Sequence, residues 1–188
     1  FSGQGNHSLS IADVDGDGKD EIVYGSMVVD DGGHGLFATG FRHGDALHVG
    51  AFVPDRAGVQ VFGVHENERP GCPKSPGMTL YDAKNGDILF HTALGDDVGR
   101  GVAADIDPRQ LLDWRGKPIG PAPASMNFLV WWDADPIREL LDRNVISKWD
   151  YEQGAMWPLL TAEGATWNNG SKATPALSAD LLGDWREE

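Results

Sequence analysis

Residues Asp13–Glu21 read DVDGDGKDE, with carboxylates at Asp13, Asp15, Asp17 and Glu21 and glycines at Gly16 and Gly18. Alternating carboxylates on a glycine-relaxed loop can turn their oxygens toward one point, as a hard cation such as calcium requires. Leu9, Ile11 and Val14 before the loop, and Ile22, Val23 and Tyr24 after it, read as strands. The loop is therefore a turn between strands, because an EF-hand needs flanking helices and a twelve-residue loop. Asp-Gly turns also serve as plain solvated hairpin links. Four carboxylates at even spacing exceed what a turn needs, and a metal site is the better reading.

The composition supports a strand-rich chain. Among 188 residues there are 25 glycines, 11 prolines and 7 tryptophans, a mix that favours many short strands joined by tight turns. Acidic residues number 29 against 15 basic, for a net charge of -14, which argues against nucleic acid or an anionic membrane as partner. Bound calcium would offset part of that charge. No apolar run reaches the roughly eighteen residues that a membrane span needs. The single cysteine, Cys72, excludes an intrachain disulfide framework. The opening FSGQGNH lacks the basic and apolar regions of a signal peptide, and the chain starts and stops abruptly. It reads as a fragment of a longer protein.

Outward from the acidic loop, DDGGHGLFATGFRHGDALHVG reads as a polar, glycine-rich segment whose histidines (His34, His43, His48) lack helical metal spacing. VQVFGVH, from Val59 to His65, alternates as a strand, and NERPGCPKSPG is a loop by its prolines and glycines. MTLYDAKNGDILFHT predicts a hairpin around the Asn85-Gly86 turn. NFLVWW, from Asn127 to Trp132, predicts a strand, and SKWDYEQG a strand with a turn. In PIRELLDRN the spacing of Ile137, Leu140 and Leu141 predicts a short helix.

The acidic loops repeat. SIADVDGDGKDE near the start and LSADLLGDWREE at the end share an apolar approach, Ala-Asp, and acids at matching steps. Asp180, Asp184 and Glu188 stand as Asp13, Asp17 and Glu21 do, with Leu182 in the place of Asp15. VAADIDPR (Asp105, Asp107) and WWDADPIREL (Asp133, Asp135) are weaker copies. Such loops, on modules of about forty to fifty residues, suggest four-stranded blades of a β-propeller.

Several separate strings resemble one family. GQGNHSLSIADVDGDGKDEIVYG, RHGDALHVG, DVGRGVAADIDPR, KWDY, NNGSKATP and DLLGDWREE are similar, in order and over nearly the whole chain, to rhamnogalacturonan lyases of polysaccharide lyase family 11. The resemblance implies an all-β, eight-bladed propeller of which residues 1–188 would be the middle-to-late blades, truncated at both ends. It also implies several calcium ions, a pectic polysaccharide partner, secretion, and cleavage of the rhamnose–galacturonic acid backbone by β-elimination. A monomer is expected. The chain departs from the family pattern in a shorter segment between Arg109 and Ser125, and in Ser171 where threonine is usual.

By the same resemblance, Arg100 (in VGRG) and Lys172 (in NNGSK) match cleft residues implicated in catalysis. Lys172 is then the general base, with a depressed pKa, and Arg100 the carboxylate clamp or base partner. Without the family, each reads as a solvated surface charge. Asn169, Gly170 and Ser171, otherwise a simple turn, become substrate-binding. The metal set is Asp13, Asp15, Asp17 and Glu21 with the carbonyl of Lys19; its closing copy is Asp180, Asp184 and Glu188 with the carbonyls of Leu182 and Arg186. Asp105 with Asp107 and Asp133 with Asp135 are shorter sets. His7, His43 and Asp45 join through the resemblance alone, since imidazole is a poor calcium ligand. Trp131, Trp132 and Trp157 are candidates for sugar stacking, though strand tryptophans more often sit in cores. A non-catalytic calcium propeller for adhesion or carbohydrate binding is the alternative function. A propeller glycosidase, with Asp45 and Glu66 as its carboxylates, is a third.

Overall fold

A computed structural model describes residues 2–67, 74–103, 115–118, 123, 128–133, 135, 137–150, 152–167, 181–184 and 186. Among these there are twelve strands and no helix. They form three four-stranded antiparallel sheets, each a meander in chain order, carried by two compact units. The first unit holds β1 (Ser10–Ala12), β2 (Glu21–Tyr24), β3 (Met27–Val29) and β4 (Gly35–Ala38) in one sheet. Its second sheet is β5 (Gly44–Gly50), β6 (Gln60–His65), β7 (Met78–Asp82) and β8 (Ile88–His91). The second unit holds β9 (Phe128–Val130), β10 (Glu139–Asp142), β11 (Val145–Asp150) and β12 (Ala155–Thr161).

The all-β class stands, and so does the four-stranded module, but the propeller is corrected. No closed sheet joins the described strands; the three sheets are separate. Evenly built modules show that a unit recurs along a chain. They carry no information on the angle between successive sheets, which packing sets. The helix expected around Ile137–Leu141 is also corrected. Glu139–Asp142 is a strand, paired with β9 through Leu140↔Leu129 and with β11 through Leu140↔Ser147. Arg143, at φ 59°, turns β10 into β11. Hydrogen bonding on both sides of one short segment outweighs a helical apolar spacing. The polar, glycine-rich segment, to which no element was assigned from sequence, contains β4 and β5. The Asn85-Gly86 hairpin forms between β7 and β8 as expected.

Two meanders pack together in the first unit because each buries one face. Val14, Val23, Val28, Leu47, Val61, Tyr81 and Ala83 form the core, with Phe37 and Val49 against it. Burying each of the larger side chains contributes roughly 1.5–3 kcal/mol. Tyr81 is fully buried, and its hydroxyl donates to the carbonyl of Gly25 at 2.8 Å. That bond ties β7 to the β2–β3 turn across the two sheets. Gly25 itself sits at φ 69°, and a Cβ there would lie 2.4 Å from the carbonyl of Gln4, so only glycine fits. Among the described residues no helix is long and apolar enough to cross a membrane. Cys72 lies outside the described residues.

The Tyr81 bond sets a test of this packing. Tyr81→Phe keeps the ring but leaves a buried carbonyl unpaired, and should cost about 1–3 kcal/mol in a urea titration. An unchanged midpoint would mean that the hydroxyl contributes nothing to holding the sheets together.

Candidate metal centre and active site

The first acidic loop is held by its own backbone. Asp13 accepts from the N–H of Gly16 (2.7 Å) and of Gly18 (3.0 Å), Asp15 from Asp17 (3.1 Å), and Asp17 from Lys19 (2.8 Å). These bonds curl the loop so that carboxylate oxygens of Asp13, Asp15 and Asp17 lie within 4.8 Å of one another. Glu21 has a different place from the one its spacing suggested. It is fully buried at the start of β2, and one of its oxygens accepts the N–H of Val14 at 2.8 Å. Its other oxygen has no hydrogen-bond partner, and Glu21 groups with Asp30 and Asp31 at the end of β3. Lys19 contributes its ammonium as well, 2.7 Å from Asp31. An all-oxygen set with a buried, unpaired carboxylate oxygen fits a hard divalent cation.

The second unit repeats this loop. Asp133 accepts from Asp135 (3.2 Å), and Asp135 from Ile137 (2.8 Å), the two bonds that Asp15 and Asp17 make. Glu139 is fully buried and accepts the N–H of Trp132 at 2.9 Å, seven residues earlier, as Glu21 does from Val14. Asp133 and Asp135 therefore correspond to Asp15 and Asp17, and Trp131 to Asp13. Glu139 was missed in the sequence, although its distance from Asp135 equals that of Glu21 from Asp17. Asp184 accepts from the N–H of Arg186 (3.2 Å) in the same manner. The Arg186 guanidinium bonds to Asp184 and to the carbonyl of Trp132. Leu182 is exposed. Asp180, Glu188, Asp105 and Asp107 lie outside the described residues.

A third cluster brings together His7, His43, Asp45 and Glu66, with one ligand atom of each within 4.8 Å of the others. Backbone pairing builds it. Asn6 bridges Gly44, the N–H of His7 donates to the carbonyl of Gly44 (3.2 Å), and the N–H of Glu66 donates to that of His43 (3.2 Å). His7 Nε2 lies 3.4 Å from Asp45 Oδ1, and the two imidazoles meet edge to face at 4.9 Å. Asp45 is buried and His7 exposed, so the cluster opens to solvent on the His7 side. Beneath it His65 bonds Thr79 at 2.8 Å, and burial pushes its pKa down to about 4, which keeps it neutral. Two imidazoles with two carboxylates suit a divalent cation of borderline softness. At this separation Asp45 and Glu66 share one site, where paired glycosidase carboxylates stand about 5 Å or more apart. Glu66 could have been added to the set only by knowing that β6 ends beside His43.

The segment carrying Arg100 approaches this cluster through Gly99. A Cβ on Gly99 would be 3.3 Å from Asp45 Oδ2, and one on Gly101 would be 2.7 Å from Val64 Cγ1. The flanking glycines let the backbone approach β5 and β6, while Arg100 between them stays exposed. Lys172, Asn169, Gly170 and Ser171 lie outside the described residues. Of the tryptophans, Trp157 is exposed, and the Arg138 guanidinium covers Trp131 at 4.8 Å.

Acid-looped antiparallel sheets and a mixed His/carboxylate cluster make this an all-β chain with several groups of candidate metal ligands. The model for "Rhamnogalacturonan lyase family 11, C-terminal domain" matches residues 1–188, and the chain belongs to that family. It is 55% identical over 199 residues to the rhamnogalacturonan endolyase YesW of Bacillus subtilis, covering 100% of this chain and 32% of the relative. To the rhamnogalacturonan exolyase YesX of the same organism it is 48% identical over 216 residues, covering 100% and 35%. The crystal structure of YesW superposes with a TM-score of 0.88 at 54% identity, over 100% of this chain and 33% of that one. The Bacillus licheniformis rhamnogalacturonan lyase PL11 gives 0.88 at 55% identity, again over 100% and 33%. The chain thus spans about a third of the length of the relatives it matches.

The His/carboxylate cluster depends on Gly44, where a Cβ would lie 2.3 Å from the carbonyl of Val64 and 2.8 Å from Asn6 Nδ2. Gly44→Ala should lower the thermal midpoint and weaken stabilisation by added divalent cation. An alanine variant that melts and responds to cation as the parent does would rule out this backbone as the support of the cluster.

Proposed function

We propose that the protein carrying this chain is a lyase that cleaves the rhamnose–galacturonic acid backbone of pectin by β-elimination. Membership of the family and the names of its relatives support the substrate and the reaction class. The observation in this chain that carries the reading is the His7–His43–Asp45–Glu66 cluster with the segment of Arg100 packed against Asp45 through Gly99. Elimination removes the proton next to a uronate carboxylate, so the reaction needs positive charge on that carboxylate as the enolate-like transition state develops. A divalent cation held by the cluster would supply such charge. The planar guanidinium of Arg100 is suited to clamp the carboxylate through two parallel hydrogen bonds. Lys172, as the free amine, takes the proton in this reading; the released electron pair forms the double bond, the bond from the neighbouring carbon to the glycosidic oxygen breaks, and water protonates that oxygen. Asn169, Gly170 and Ser171 offer amide, backbone and hydroxyl groups to the sugar hydroxyls.

Calcium is the cation we propose for the Asp13–Asp17 loop, whose donors are all oxygen. Its role there is structural, fixing the loop between β1 and β2. Pectin is an extracellular polymer, and we place the protein outside the cell. A purely structural calcium-binding chain would have no use for an exposed arginine held against an imidazole cluster by two close-packed glycines.

The protein should release products from rhamnogalacturonan that absorb in the ultraviolet, and a chelator should abolish the release. Arg100→Ala should lower the rate by roughly a hundredfold or more, the order lost when one transition-state contact is removed. Lys172→Ala at full rate would refute the base assignment, and products without the chromophore would mean hydrolysis.

A further inference from the structure

The two acidic loops differ at one register position. In the β2–β3 hairpin Ile22 pairs with Val29, so Glu21 faces Asp30 across the next step. In the β10–β11 hairpin Leu140 pairs with Ser147, so Glu139 faces Lys148. A carboxylate in the first hairpin is thus replaced by an ammonium in the second, each opposite the same buried glutamate. The ammonium is fully engaged. Lys148 donates to both Asp133 and Asp135, and its Nζ lies 3.6 Å from the Glu139 oxygen that has no hydrogen bond. Its three donors face the three carboxylates among which a metal ion would have to sit.

We infer that Lys148 is the resident cation of the Asp133–Asp135–Glu139 cluster, and that this loop takes no metal ion. The same backbone, with the same turn bonds and the same buried glutamate, is closed by an external cation in one unit and by a tethered one in the other. A divalent ion could enter the second cluster only by expelling the ammonium into water and breaking its contacts with all the carboxylates. In the first loop the corresponding Asp30 joins Glu21 and Asp31 instead, and the exposed Lys19 ammonium reaches Asp31 and Asp17 rather than the buried Glu21. The inference concerns only this loop and stands whichever polysaccharide the protein cuts.

The test is a calcium count on protein dialysed against micromolar calcium, by mass spectrometry. Asp135→Asn should leave the number of ions per chain unchanged, because Lys148 and not calcium sits on that carboxylate. Lys148→Asp, which restores the register of the first hairpin, should add one ion per chain and make the thermal midpoint rise with calcium. Loss of one ion in Asp135→Asn would overturn the inference, as would a folded Lys148→Asp that gains none. Should Lys148→Asp fail to fold, the Asp135→Asn count still decides.

Discussion

Two of the acidic loops hang on a glutamate buried at the first position of a strand. Glu21 and Glu139 are both fully inaccessible, and each accepts the N–H of a loop residue seven positions back. The bond closes the loop against the strand and fixes where the aspartates point. It also creates a problem, since a buried carboxylate loses its hydration and each of these has one oxygen with no hydrogen bond. At Glu139 burial raises the pKa, and the N–H groups of Trp132 and Asp133 with the nearby ammonium pull it back only in part. Such an oxygen calls for a positive charge. The acidic loop is therefore a consequence of the strand's first residue as much as of its own aspartates.

The candidate centre around His7 is built differently. It is assembled by main-chain hydrogen bonds between segments far apart in sequence, namely Asn6–His7, His43–Asp45 and Glu66. Gly44 permits the approach of these segments, and Gly99 and Gly101 permit that of the Arg100 segment. Side chains projected from paired backbone lose little freedom on binding a ligand, so the cluster is organised before any ligand arrives. The acidic loops, by contrast, are local, each made within about ten residues of chain.

That contrast explains what the sequence could and could not disclose. Local features were legible: the Asp13 loop from its alternating acids, and the β7–β8 hairpin from Asn85-Gly86. The strand at Glu139 was mistaken for a helix because Ile137, Leu140 and Leu141 happen to fall at helical spacing, while the pairing that decides the matter lies with β9 and β11. β5 was hidden by glycines that are there for close approach. His7, His43 and Asp45 were reached through family resemblance, whereas Glu66 joins them only through its bond to the carbonyl of His43. The propeller failed for a related reason: recurrence along a chain says nothing of how sheets are arranged in space.

Lys148 shows how far a repeat can diverge without losing its geometry. Burial costs its ammonium some hydration, which lowers the pKa, but the hydrogen bonds it donates to Asp133 and Asp135 outweigh this and hold it above the usual lysine range. A tethered cation is always at its site, whereas an ion from solution stabilises a loop only as its free concentration exceeds the dissociation constant. A divalent ion has the stronger field but is surrendered when the surroundings are poor in it. Under the calcium proposal, the order of the first acidic loop follows the cation supply, while that of the second is written into the sequence. The difference comes down to which charge the hairpin register places opposite the buried glutamate.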